Sequence, residues 1–325
     1  AVIDSGIDFN HPDLINQSWV NLGEIPENGQ DDDNNGYIDD IKGWDFRDND
    51  NDPSPGHRHG TFVAGLIAAN DDDHMCVGVA PKIKLMALRF LNDENKFAGT
   101  DWGMFTEAID YAIANHANII HLSIQAYSIP PKSFHNALKR AYNSGIILVG
   151  VTGNNEDDVT YPGRYTEVIA VSATNKNRKI ANFSSIGFQN EICAPGENVY
   201  SIIPSRNDVV KGSGTSFAAP LVSGTIGLML SLNPNLTADS IREVLHETNT
   251  DLGEIGKDPI YGYGLLNASA ALERVNSEYT NTTHKPISTM CTFHCIEFKF
   301  NLNLTAIIFV PFNSSLKMLK RRNIK

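Results

Sequence analysis

Cysteine is scarce in this chain of 325 residues, with only Cys76, Cys193, Cys291 and Cys295 present. Four cysteines do not supply a disulfide framework for a chain of this length, so apolar packing must hold the fold together. Cys76 and Cys193 lie in apolar runs, which predicts buried free thiols. Cys291 and Cys295 share the segment Cys-Thr-Phe-His-Cys. A metal knuckle is a second interpretation of that segment, although no further ligand pair follows it.

The sequence shows neither a secretory signal peptide nor a membrane segment near its C-terminus. The longest apolar run there, LTAIIFVPF, is far shorter than the about 20 residues that span a bilayer, so no stable membrane insertion is expected. The chain opens directly inside an apolar run, AVID, which predicts a cut N-terminus. The missing targeting segment therefore carries no information about location.

Basic residues are outnumbered, and their distribution is uneven. The net charge is −12; residues 275–325 hold 7 Lys/Arg against 2 Asp/Glu, whereas the remainder holds 19 basic and 36 acidic residues. An acidic body argues against nucleic acid as the main partner. Much of the acid falls in residues 31–52, which favours a cation site over a general role in solubility.

Buried strands and helices alternate along residues 1–274. Apolar runs without polar alternation are typical of strands covered on both faces, and five of them are AVIDSG, IKLMALRFL, NIIHLSI, GIILVGVT and VIAVSAT. Helical spacing of apolar residues lies between them, as in GMFTEAIDYAIANHA and from Ser133 to Ser144. The alternation predicts a three-layer α/β fold, a mostly parallel central sheet with helices on both faces. Residues 275–325 form a tail to which no fold is assigned.

Three segments place a reactive side chain at a strand end or a helix start. Asp4 ends the strand of AVIDSG, His59 opens HGTFVAGLIAA, and Ser216 opens the small-residue helix of GTSFAAPLVSG. Each residue alone has an ordinary explanation as a helix cap or a surface group. Together they supply a hydroxyl nucleophile, an imidazole base and a carboxylate that orients the base.

The three motifs, in the order Asp, His, Ser, resemble the subtilisin-like serine proteases, the subtilases of peptidase family S8. The resemblance covers about residues 1–274. It implies a secreted serine endopeptidase that hydrolyses peptide bonds through an acyl-enzyme, with Asp4, His59 and Ser216 as its triad and no cofactor in the chemistry. The partners it implies are protein or peptide substrates and a propeptide inhibitor missing from this chain.

Other site residues follow from the same resemblance. GVTGNNEDD is similar to the family's oxyanion-hole segment, which implies that Asn154 and the Ser216 backbone N–H are the two donors. TYPGRYTEVIAVSAT is similar to a segment with a cis Tyr–Pro bond, here Tyr161–Pro162. The substrate-binding residues that the resemblance implies are Ser123, Ile124, Gln125, Gly153 and Gly163.

Several positions depart from the family pattern. Arg58 stands where a Gly usually precedes the catalytic His, and Phe62 replaces the second His of the HGTH motif. Phe217 follows the serine where many members have Met. In HLSIQAYS, Gln125 and Ala126 replace two glycines of a segment that borders the substrate pocket. The changes at Gln125 and Ala126 keep one alternative open, a catalytically inactive subtilase-like module that binds peptides. The missing lead-in, the absent propeptide and the unassigned tail keep another open, a gene fragment.

The acidic loop DDDNNGYIDD has oxygen-bearing side chains at alternate positions before a glycine that permits a sharp turn. It matches only the first half of an EF-hand loop, because Lys42 stands where the twelfth-position Glu belongs. Similar inserts bind calcium in some subtilases, so we predict a structural Ca²⁺, with a solvated acidic loop as the alternative. The predicted ligands are Asp31, Asp33, Asn35, Tyr37 through its carbonyl, and Asp39.

Overall fold

A computed structural model describes residues 1–72, 75–205 and 208–282 of the chain. The metal-knuckle interpretation of Cys291 and Cys295 falls outside these residues, as does most of the predicted tail. Cys76 and Cys193 are buried free thiols, as predicted. Burial raises the pKa of both thiols well above the ordinary range, which keeps them protonated and unreactive.

In the part of the chain that the structure describes, seven strands form one central sheet whose pairings are all parallel, and this confirms the predicted fold class. Their spatial order is β2-β3-β1-β4-β5-β6-β7. The bounds of these strands are β1 Val2–Asp4, β2 Gly43–Asp45, β3 Ala87–Arg89, β4 Ile119–Leu122, β5 Ile147–Val151, β6 Val168–Thr174 and β7 Asn190–Pro195. A separate antiparallel pair joins β8 Val199–Ser201 to β9 Val210–Gly212.

Within the described residues, six α-helices cover the two faces of the sheet. They are α1 Arg58–Ala68, α2 Trp102–Ala114, α3 Lys132–Asn143, α4 Thr215–Leu232, α5 Ala238–Thr248 and α6 Ala268–Thr282. Successive side chains of a strand point to opposite faces, and β5 shows this directly. Leu148 packs with α2 and α3, whereas Ile147 and Val149 pack with α4 and α5.

Local sequence signals explain where several helices begin and end. The Thr237 side chain accepts from the Ser240 backbone N–H and so caps α5. Gly145 follows α3 with a φ of 83°, a left-handed conformation that glycine adopts without steric cost. Helix α4 is apolar and long enough to cross a membrane, but 67% of it is buried inside the protein. It is the central helix of one sheet face.

The last described helix, α6, crosses the domain boundary that the sequence placed at residue 274. Val275 is buried in the core cluster that also contains Ala271. The predicted boundary therefore falls inside a helix that packs against α4 and α5. The assignment of residues 275–325 to a separate tail stays a prediction.

Candidate active site

The predicted carboxylate and imidazole meet at the carboxyl end of β1. His59 Nδ1 lies 2.8 Å from Asp4 Oδ1 and 3.0 Å from Asp4 Oδ2. Asp4 is fully buried, which acts to raise the pKa of its carboxyl. The charge of His59 and the hydrogen bonds from His59 and the Ser5 N–H together outweigh this effect of burial. The pKa of Asp4 therefore lies below its ordinary value. A buried carboxylate bound to Nδ1 leaves Nε2 as the ring atom available to a substrate.

Small residues allow this close approach. Gly60 follows His59, and a Cβ at this position would collide with the Gly6 carbonyl oxygen. The Ser5 hydroxyl accepts from the Gly60 N–H at 3.0 Å and donates to the His57 carbonyl at 3.0 Å. The turn after β1 and the first turn of α1 are therefore fastened directly together, which explains why Asp4 meets His59 across 55 residues of sequence.

Ser216 is the second residue of α4, and it lies in the same cleft as His59. Its backbone N–H is one of the first four of the helix, which have no acceptor within the helix. In the described part of the chain, the one hydrogen bond that its hydroxyl donates goes to the Ser123 carbonyl oxygen, at 3.4 Å. Among the described residues, no hydrogen bond joins this hydroxyl to His59. Hydrogen bonds between active-site side chains commonly tighten only when substrate binds.

Asn154, in the loop after β5, lines the same cleft as Ser216. Its Oδ1 accepts from the Thr215 backbone N–H at 2.8 Å and from the Thr215 hydroxyl at 3.0 Å. These two bonds fix the orientation of the amide, and Nδ2 remains as its donor toward the cleft. The cleft, with a volume of about 610 Å³, is lined by His59, Asn154 and Ser216 together.

One wall of the cleft is the segment that follows β4. Ser123, Ile124 and Gln125, which the resemblance implies as substrate-binding residues, line it, and Ala126 extends it. The two predicted glycines differ, since neither Gly153 nor Gly163 is among the residues that line this cleft. A Cβ on Gly163 would collide with the Val151 carbonyl, and one on Gly153 would meet the Thr160 side chain, so both glycines lie at close-packed positions.

Gln125 reaches across the cleft between its two walls. Its Oε1 accepts from the Asn154 backbone N–H at 2.9 Å, and its Nε2 donates to the Tyr127 hydroxyl at 2.9 Å. A glycine at this position would leave the gap open. The side chain therefore narrows the space between the segment after β4 and the loop after β5.

The aromatic departures from the family pattern pack together beside His59. The Phe217 ring centroid lies 4.2 Å from that of Phe62 and 5.5 Å from that of His59. Phe62 and Phe217 thus form one apolar contact behind the imidazole. This contact excludes water from one side of the ring without occupying its nitrogen atoms.

The acidic loop gathers carboxylates, but in a different set from the predicted one. Ligand oxygens of Asp31, Asp33 and Glu24 lie within 4.8 Å of one another. Glu24 lies outside the predicted set; it is buried, and its carboxylate accepts from the backbone N–H groups of Asp32, Asp33 and Asp39. Three hard oxygen donors at this separation fit Ca²⁺.

The other predicted ligands have other partners in the loop. The Asp39 carboxylate accepts from the Asn28 and Gly29 N–H groups, and the Asn35 amide donates to Asp33 and Asp40. The ligand predicted at Tyr37 is its backbone carbonyl, which stays a prediction; the Tyr37 ring packs edge-on against Trp44, Phe46 and Tyr111. Asp39 is thus directed away from the cluster because the turn at residues 28–29 uses its oxygens. Asn35 stays beside the cluster, with its N–H 3.0 Å from both Asp31 and Asp33.

A parallel α/β sheet that carries a carboxylate–imidazole pair and a helix-borne serine in one cleft has the architecture of a serine hydrolase. Comparisons with known proteins define the family. The subtilase family model matches residues 1–264. Subtilisin DY of Bacillus licheniformis is 38% identical over 223 residues, 67% of this chain and 78% of the relative. Thermitase of Thermoactinomyces vulgaris is 32% identical over 84% of this chain and 88% of its own length.

The chain belongs to the subtilase family and is a serine-type endopeptidase that acts on protein or peptide substrates. The alternative of an inactive peptide-binding module is not favoured.

The relatives differ in length and in the location that their names give. This chain spans 32% of the minor extracellular protease Epr of Bacillus subtilis, at 36% identity. It spans 67% of the major intracellular serine protease of the same species, at 35% identity.

Proposed function

We propose that Asp4, His59 and Ser216 form the catalytic triad and that peptide hydrolysis proceeds through an acyl-enzyme on Ser216. The observation that carries this proposal is the bond between His59 Nδ1 and the buried Asp4 carboxylate, in the cleft that Ser216 lines. Asp4 orients the ring and stabilises its charged form. Nε2 then receives the hydroxyl proton as the Ser216 oxygen attacks the peptide carbonyl carbon.

The proposed oxyanion donors are Asn154 Nδ2 and the Ser216 backbone N–H. They would stabilise the negative charge that develops on the carbonyl oxygen of the tetrahedral intermediate. Its collapse breaks the C–N bond, and His59 returns the proton to the leaving amine. Water then attacks the acyl group, again with His59 as base, and the Ser216 hydroxyl is restored. The position of Ser216 in the first turn of α4 supports this role, since that end of a helix favours negative charge.

The test of this proposal is cleavage of an unfolded protein substrate by the 325-residue chain and by its Ser216→Ala variant. We expect wild-type cleavage, and loss of it to background in the variant. Ser213→Ala is the matched control, because Ser213 lines the same cleft and should keep activity. Equal cleavage by wild type and Ser216→Ala would contradict the proposal.

We also propose that the acidic loop binds a structural Ca²⁺ through Glu24, Asp31 and Asp33, with Asn35 beside them. Three mutually repelling carboxylates within 4.8 Å support this, because a divalent cation relieves the repulsion. Binding to the folded chain alone would stabilise it by about 2.7 kcal/mol at a hundredfold excess over Kd. Chelator should then lower the melting temperature, and Glu24→Gln should shrink the difference. A melting curve unchanged by chelator would remove the calcium proposal.

For location and partners, we infer a secreted protein that a propeptide inhibitor accompanies. The extracellular relative supports secretion, and the intracellular relative is the competing precedent. The acidic body disfavours nucleic acid as a partner, and the burial of α4 disfavours membrane insertion. Antibody detection in culture medium against cell lysate tests the location, and protein confined to the lysate would overturn secretion.

A further inference from the structure

A second histidine lies in the layer beneath the nucleophile. His121 is in β4 between Ile120 and Leu122, whose side chains pack on the α2 and α3 face. Because side chains alternate along a strand, His121 points to the α4 face instead. It is 1% exposed, and no step of the proposed reaction uses it.

His121 is hydrogen-bonded at both ring nitrogens by serines. Its Nδ1 lies 2.8 Å from the Ser223 hydroxyl of α4, and its Nε2 lies 2.7 Å from the Ser123 hydroxyl. The Ser123 hydroxyl in turn donates to the Ser216 backbone carbonyl at 2.9 Å. A continuous buried chain of hydrogen bonds therefore runs from the middle of α4 through β4 to the peptide that bears the nucleophile.

The acceptor at the end of this chain exists because of Pro220. In an α-helix, a carbonyl accepts from the N–H four residues further on. For Ser216 that residue is Pro220, which has no N–H to donate. The Ser123 hydroxyl supplies a hydrogen bond that the helix itself cannot provide.

The donors and acceptors of the chain fit only one tautomer of the imidazole. The Ser123 hydroxyl has one hydrogen, which it gives to the Ser216 carbonyl, so it must accept from His121. Nε2 therefore carries the ring proton, and Nδ1 accepts from Ser223. Burial, the first cause, lowers the pKa of His121 to about 3, and the ring stays neutral at ordinary pH.

From this geometry we propose that His121 is a positioning residue: it orients the Ser123 hydroxyl toward the Ser216 carbonyl and so fixes the peptide that carries the nucleophile. The inference rests on the proposed role of Ser216. A small displacement of a nucleophile lowers the rate of the chemical step more than it weakens substrate binding.

The test compares two substitutions that each keep half of the network. His121→Gln can still donate from about the position of Nε2, whereas His121→Asn can still contact Ser223 but not Ser123. We expect kcat to fall about tenfold in His121→Asn, to stay within about threefold in His121→Gln, and KM to change little in both. Equal kcat losses in the two variants, or none in His121→Asn, would overturn the proposal.

Ser123→Ala provides the second arm, and it decides the matter if His121→Asn does not fold. Its kcat should fall about tenfold, and the double variant with His121→Asn should fall no further, because both changes break one chain. Multiplied losses in the double variant would contradict positioning through Ser123. Wild-type cleavage that does not depend on Ser216 would instead refute the proposed function itself, and the inference would fall with it.

The tautomer gives a readout that is independent of activity. A nitrogen-15 NMR spectrum of Ser216→Ala should show His121 neutral, with its proton on Nε2, between pH 8 and pH 5. A proton on Nδ1, or titration near pH 6.5, would overturn the assignment.

Discussion

His59 and His121 both lie near Ser216, the proposed nucleophile, yet their surroundings differ in a way that fits different tasks. The His59 ring is bound to a buried carboxylate, and 11% of its side chain is exposed in the cleft. The His121 ring is bound by two neutral hydroxyls and is 1% exposed. A carboxylate favours the charged imidazole that a general base becomes, whereas burial among hydroxyls disfavours it. The groups hydrogen-bonded to each ring therefore determine whether the histidine is suited to transfer a proton or to keep one on a fixed nitrogen.

The difference between the two histidines is tested most strongly by removing the charge beside His59. Asp4→Asn keeps the side-chain shape but offers His59 an amide, which can support the wrong tautomer and cannot stabilise the charged ring. We expect kcat to fall about 10⁴-fold, while His121→Gln stays within about threefold. Steady-state kinetics on one peptide substrate measures both variants. Similar losses in the two would mean that the difference between the histidines is not functional.

A second substitution tests the amide across the cleft. Asn154→Ala removes Nδ2 and should lower kcat by about 10²–10³-fold, with KM nearly unchanged, because the donor acts on the transition state. Thr215→Val is the matched control, since it removes only the hydroxyl bond to Asn154 Oδ1 and keeps the backbone donor. A larger loss in Thr215→Val than in Asn154→Ala would argue against Asn154 as the oxyanion donor.

The pH dependence of the free energy of unfolding tests the contrast between the two histidines through His121. Its pKa is lowered from 6.5 to about 3, so the unfolded chain takes up this proton at a higher pH than the folded chain. The stability that this group contributes is complete above pH 6.5 and declines as the pH falls toward 3, by up to about 1.4 kcal/mol per pH unit. The lowered pKa of Asp4 acts in the same direction, but only below about pH 4.

Urea unfolding at pH 7, 6 and 5 measures this dependence, in a Ser216→Ala background that prevents self-digestion. His121→Gln should flatten the decline between pH 6.5 and pH 5, because glutamine does not titrate. An identical slope in both proteins would show that His121 is not held neutral by the fold.

The smallest expected effect concerns Gln125, which borders the cleft without joining either histidine. Gln125→Gly removes the side chain that spans from one wall to the Asn154 N–H. We expect the ratio of kcat/KM for large over small side chains next to the scissile bond to rise about tenfold. Gln125→Glu tests whether the bond itself matters, since it keeps the length and an acceptor. An unchanged ratio in Gln125→Gly would show that the residue does not limit what enters.

The sequence was sufficient for the parts of the molecule that depend on local pattern. The unbroken apolar runs predicted the parallel strands, and the motifs around Asp4, His59 and Ser216 predicted which elements would meet. The cis bond at Tyr161–Pro162 is confirmed as well. The bounds of a strand did not follow from its apolar run, since β3 covers only Ala87–Arg89 of the run IKLMALRFL.

What the sequence could not supply are contacts between side chains that no local pattern joins. His121 and Ser223 are 102 positions apart, and a lone histidine in an apolar strand has no distinctive signature. Two features of the sequence could have indicated the role of His121. It lies on the α4 face of β4, two residues before Ser123, and Pro220 leaves the Ser216 carbonyl without its helical donor. Glu24 was missed because it precedes the acidic run and joins it only through the backbone of the folded loop.

The central claim is that Ser216 reacts because His59, fixed by Asp4, removes its proton. Intact-mass and peptide-mapping analysis after treatment with an organophosphonate tests this most directly. A single adduct on Ser216 is predicted for the wild type, with its formation at least about a thousandfold slower in His59→Ala. An adduct on another residue, or labelling of Ser216 at the same rate without His59, would contradict the account.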